Sequence, residues 1–152
     1  MFEHLERLYK KYDRVIDHIK RNYKLMKVRS KNLLDFFQKE ESAKASRRLS
    51  SMRKDITNSM GYLRKKGNEL NKDRTLLSSM KLSKIELADC QENIRFYATV
   101  IGFALYSLLE ILDQIKSMYK KPIKREDVEH LIYLTNTAYS TFYDSLGYTV
   151  EE

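Results

Sequence analysis

The amino-acid sequence predicts an all-α fold, an elongated four-helix bundle with three long coiled-coil-like helices and a shorter fourth, and three observations carry that reading. Only four glycines and one proline occur in 152 residues, too few turn formers for the many connections of a sandwich or barrel. Apolar residues recur at helical spacing along four successive stretches, the pattern of helices that each bury one face. The one proline follows two lysines, Lys120-Lys121-Pro122, and so separates the third stretch from the fourth, because proline restricts the residue before it and cannot continue a helical ladder. The length suits one domain over residues 1–152, large enough to bury a core without metal or disulfide support.

The first helix, about residues 2–39, is written by Leu5, Tyr12, Ile19, Met26 and Leu33, with Leu8, Val15, Ile16, Tyr23 and Phe37 on the same side. Tyr12 and Tyr23 therefore belong to the core. No glycine or proline marks the end of this helix, but the next apolar line begins 16 residues after Leu33, at Leu49. A continuous helix would put it on the opposite side, so a break is expected near Gln38 to Ser42.

The second helix, about 43–80, follows Leu49, Ile56, Leu63, Leu70 and Leu77, with Ala45, Met52 and Met80 at the other seam position. Ser59, Lys66 and Asp73 occupy that seam too, which predicts a thin contact and an outermost helix. Gly61 and Gly67 weaken it by roughly 1 kcal/mol each relative to alanine.

Ser83-Lys84-Ile85-Glu86 has capping-box spacing and starts the third helix, about 84–120. Its line is the strongest: Leu87, Ile94, Ile101, Leu108 and Ile115, interleaved with Cys90, Tyr97, Ala104, Ile111 and Met118. From Phe96 to Leu112 apolar residues wrap the remaining faces as well, which predicts a helix at the centre of the bundle. The fourth helix, about 124–146, has Val128, Leu131, Ile132, Thr135, Tyr139, Phe142 and Leu146 inward and Gly147 as C-cap.

The net charge is +8 and unevenly placed: residues 20–74 hold 17 Lys and Arg against six acids. The outward positions of the second helix hold Lys44, Arg47, Lys54, Arg64, Lys65 and Lys72 without an acid, set among serines, threonines and asparagines. Lys20, Lys24, Lys27 and Lys31 share one side of the first helix. A merely solvated helix interleaves Glu with Lys, so an acid-free face predicts an anionic partner, and cations among hydroxyls and amides suit phosphate oxygens. The expectation is a non-enzymatic protein that binds a nucleic-acid backbone, DNA or RNA, with little sequence choice through those ten residues. The alternative is a helical assembly or scaffold protein, with an anionic membrane surface as a third partner class. Homo-oligomerisation is expected from the thin seam of the second helix and from the tyrosine-rich C-terminal region, where Tyr133, Tyr139, Tyr143 and Tyr148 occur.

Catalytic and metal chemistry find little support. Three histidines share no ligand spacing, the one cysteine has no partner for zinc, and no glycine-rich phosphate loop or nucleophile elbow occurs, so neither a metal nor a cofactor is expected. Arg125 and His130 have a spacing that resembles the ribonuclease motif of HEPN domains, which are small helical bundles. The resemblance covers six residues and implies acid-base work for His130 and phosphate support for Arg125, but Glu126, Asp127 and Glu129 lie between the pair. Without a secretory signal, and with a longest uncharged run of only 14 residues, Phe96 to Leu109, no membrane span is expected; a lone core cysteine points to a reducing, cytoplasmic setting.

Overall fold

The structure is a computed structural model that describes residues 2–119 and 122–147. Among them are four helices and no strand: α1 (Phe2–Gln38), α2 (Ser42–Ser78), α3 (Lys84–Met118) and α4 (Arg125–Ser145). The predicted all-α four-helix bundle is thus what the chain forms. The expected end of the third helix at Lys120 lies outside the described residues, as does Tyr148.

Each helix ends for a local reason. Glu40 adopts a left-handed conformation (φ 57°) after α1, and the Glu41 N–H then reaches back to the Phe36 carbonyl at 2.9 Å; this is the turn that glycine usually makes. α2 stops at Ser78, before the expected Met80, where the Ser78 and Ser79 hydroxyls donate to the carbonyls of Thr75 and Leu76 and compete with the helical ladder. Ser83 caps α3, accepting from the Glu86 N–H at 3.2 Å, which is the serine half of the expected capping box. Gly147, with φ 79°, follows α4 and donates to the Asp144 carbonyl.

The helices alternate in direction. α1 and α3 each touch the other three, whereas α2 and α4 do not meet, so the cross-section is a rhombus with α1 and α3 across its short diagonal. α3 therefore shares the centre with α1 and does not hold it alone. α2 is no more peripheral than α4, since both pack against the same central pair.

The thin seam of α2 has a tertiary explanation. Asp73 accepts from Tyr12 and Lys11, Ser59 bonds His18 at 3.0 Å, and Lys66 turns to Glu69 on its own helix. Asp55 pairs with Arg29. Asp73, Ser59 and Asp55 of α2 thus meet polar groups of α1, while Leu49, Met52, Ile56, Leu63 and Leu70 are almost fully enclosed.

α4 has 21 residues against 37 for α1 and covers only the second half of α1. There Tyr23 meets Phe142 (ring centroids 5.3 Å apart) and Ser30 bonds Thr135. Nearer the start of α1, Tyr97 from α3 packs against Tyr12 and Tyr9 of α1, and Cys90 is buried with the Tyr9 hydroxyl donating to its sulfur at 3.2 Å.

The apolar stretch of α3 departs from expectation. By length and composition α3 is the one described helix that could cross a membrane, although its uncharged run is short, and less than half of its most apolar 18 residues is buried in the bundle. Tyr106 is 66% exposed, Leu109 43% and Phe96 37%. Periodicity identified the inward side of this helix correctly, but nothing covers its outward side among the described residues.

Candidate functional site

The three acids of α2 are all engaged near or at its contact with α1. Asp55 meets Arg29, Glu69 meets Lys11 and Lys66, and Asp73 meets Lys11 and Tyr12. Burial works against the charge of Lys11, but Asp73 and Glu69 outweigh it and raise its pKa above the ordinary lysine value. Lys66, then Lys11, hold the Glu69 carboxyl below its usual range. With the acids drawn to this side, the opposite side of α2 keeps its cations uncompensated.

Arg47, Lys54, Lys65 and Lys72 all lie exposed on that opposite side. Their spacings of seven, 11 and seven residues turn each within about 20° of the last, so the four form one straight row roughly 38 Å long. Lys44 stands apart from it, paired with Glu41 at 2.9 Å and above the Phe36 ring. Arg64 sits three helical turns beyond Arg53, and Arg53 lies over the Tyr119 ring at the end of α3; Arg64 accordingly belongs to the α3 edge of α2.

The row is deepened at one point. Ser50, Arg53, Lys54, Thr57, Asn58 and Tyr119 line a shallow groove of about 430 Å³, and the Tyr119 hydroxyl donates to Ser50 at 3.0 Å. Two cations, hydroxyls and an amide converge there, which is a donor set for a phosphate group. Helical periodicity in the sequence does not single out Arg53 or Tyr119. Their meeting depends on the register of α2 against α3, for which no local signal exists.

The lysine row of α1 lies elsewhere. Lys27 stands over the Tyr139 ring of α4 at 4.8 Å, Lys24 acts electrostatically on the same tyrosine, and Lys20 lines a pocket with Leu146. Lys31 continues that line one turn on, exposed. This row follows the α4 side of α1, while α2 flanks the other side, so the two sets of cations picked from sequence do not form one surface.

A second cavity of about 760 Å³ opens at the end of the bundle where both interhelical turns meet, walled by Phe36, Phe37, Leu49, Met118 and Ile123. Arg125 reaches its rim and also bonds Glu129 at 2.8 Å. His130 instead stacks near Tyr133, with ring centroids 6.2 Å apart. Five residues on a helix turn about 140°, so Arg125 and His130 point to different sides of α4 and do not converge as a catalytic pair. No group of three or more metal-ligating side chains occurs among the described residues.

Fold and site together define a helical bundle with one uncompensated basic helix face. No family model, curated protein or solved structure matches the chain.

Proposed function

We propose that this protein binds the phosphate backbone of nucleic acid through the outer face of α2, without catalysis and with little dependence on base sequence. The observation that carries the proposal is the division of charge across α2: its acids are spent on the α1 side, and Arg47, Lys54, Lys65 and Lys72 stand in a row facing solvent. Uncompensated cations in a row cost self-repulsion, which phosphate neutralisation relieves with release of counterions. The length of the row, roughly 38 Å, is about one turn of duplex. The Ser50, Arg53 and Lys54 groove supplies a further phosphate position. No element of the bundle carries a base-reading pattern, so affinity follows charge and shape. A cytoplasmic location agrees with this reading.

The test is fluorescence anisotropy on labelled duplex and single-stranded probes across a salt series. Neutralising about four to six phosphates gives a log-log salt slope of roughly −3 to −5. Replacing Arg47, Lys54, Lys65 and Lys72 by Gln keeps helix propensity and is expected to lower affinity and flatten the slope together, at a melting temperature no lower than that of the parent. Equal affinity of the parent and the quadruple variant at low salt would eliminate this face as the binding surface.

A further inference from the structure

Beside Arg47, the first cation of the α2 row, a small open pocket of about 250 Å³ faces α1 and is lined by Phe36, Lys44, Arg47 and Arg48. Three of its four lining residues are cations, brought together within little more than one helical turn. Phe36 is the apolar wall: the Lys44 Nζ lies 6.0 Å and the Arg48 guanidinium 5.9 Å from its ring centre. Arg48 is half-buried, yet no ion pair or hydrogen bond engages it among the described residues, and its Nε is enclosed without an acceptor. Arg29 of α1 pairs with Asp55 and also stands near Arg48; burial, followed by repulsion from Arg48, lowers its pKa below the ordinary guanidinium value. Glu41 bonds Lys44 at 2.9 Å and leaves the start of α2 without a side-chain cap. These four cations against two carboxylates leave a surplus of two positive charges, to which the positive end of the α2 dipole adds.

We infer that this pocket holds the terminal phosphate of the strand whose backbone lies along the α2 row, and so seats a strand end beside Arg47. The inference rests on the phosphate-backbone reading of α2 and adds to it a place where the strand stops. Size favours a headgroup: the pocket is smaller than the roughly 300–1,000 Å³ of sites that enclose whole small molecules, so the rest of the ligand lies outside. Charge favours a monoester. A terminal phosphate carries about −1.5 to −2 at pH 7 and matches the surplus of two, whereas a backbone diester carries one charge. Arginine forks and a lysine around one group suit its several oxygens. Position agrees as well, because α2 begins at Ser42, five residues before Arg47, and the row cannot continue past that end.

The test compares single-stranded probes of one sequence that end in a 5′-phosphate, in a 3′-phosphate or in hydroxyls at both ends. The parent chain is expected to bind one of the phosphorylated probes about tenfold more tightly than the hydroxyl-ended probe, with a log-log salt slope steeper by about one. Lys44→Glu replaces an exposed cation by an acid that the start of a helix favours, so the fold is kept, and it should bring that preference below about twofold. Arg48→Gln should do the same, with helicity checked by circular dichroism; if this half-buried position does not tolerate the change, Lys44→Glu decides. A parent that binds all three probes alike would overturn the inference and leave the backbone reading standing, as would a Lys44→Glu variant that keeps the preference. If no probe binds, both fall. In that case inorganic pyrophosphate is added alone, and a rise in melting temperature of the parent but not of Lys44→Glu would give the pocket to a free phosphate compound and not to a strand end.

Discussion

The Tyr12 hydroxyl of α1 donates to Asp73 of α2 at 2.6 Å, and Lys11 reaches the same carboxylate oxygen at 3.2 Å. Tyr12 is fully enclosed, and burial, followed by Asp73, raises its pKa far above the ordinary phenol value. The carboxylate is thus a fixed acceptor for a buried donor, and it sets the register of α1 against α2.

Tyr12→Phe is expected to cost about 1 kcal/mol, the net worth of one hydrogen bond, while Asp73→Ala should cost more, about 1–3 kcal/mol, because a buried hydroxyl loses its acceptor. Urea unfolding monitored by helical circular dichroism measures both. In the double variant the costs should fall short of additive by at least about 0.5 kcal/mol; strict additivity would mean that the two groups do not interact.

Backbone substitutions should stabilise the chain at three places. Glu40 holds φ 57°, a conformation that costs a residue with a Cβ about 1 kcal/mol, so Glu40→Gly is expected to raise stability by a few tenths to 1 kcal/mol. Gly61→Ala adds a Cβ to open space, and Gly67→Ala places one 3.7 Å from the Ile101 side chain, an ordinary contact. Each should gain up to about 1 kcal/mol from helix propensity. A loss of melting temperature in either alanine variant would contradict the spacing between α2 and its neighbours.

Stability should decline on mild acidification. Burial, with a smaller contribution from Arg21, lowers the pKa of His18 below 6.5, so the unfolded chain takes up the proton more readily than the fold. The contribution is complete above about pH 6.5 and is lost as pH falls from there toward the folded value. His18→Gln should flatten the stability profile between about pH 7 and pH 5. The carboxylate of Glu69, whose pKa is lowered, acts in a separate window below 4.5. An unchanged profile in the glutamine variant would assign the slope to another group.

The two lysine-rich surfaces should behave differently toward a nucleic-acid probe. Lys24→Gln with Lys31→Gln removes charge from the α4 side of α1, remote from the α2 row, and is expected to leave the salt slope within about one unit of the parent. A drop as large as that of the α2 quadruple variant would mean that the probe wraps the bundle and does not lie along one helix.

The sequence by itself determined the four helices, the caps at Ser83 and Gly147, the break before Ser42 and the inward stripe of every helix. Each of these is local: a helical period, a hydroxyl at a helix start or a glycine at its end acts within a few residues. It also located the acid-free side of α2. What it misjudged depends on partners distant in the chain. Asp73 and Ser59 weaken an apolar line on paper, yet opposite Tyr12 and His18 they are paired polar contacts. Lys27 shares no surface with Lys54 because its neighbour is Tyr139. Phe96, Tyr106 and Leu109 are as apolar as core residues, but whether such a side chain is buried depends on which helices pack beside it, and α2 and α4 leave the outward side of α3 uncovered. Only the tertiary structure decides these matters, since helix period repeats along one chain segment while pairing is fixed by the register between segments.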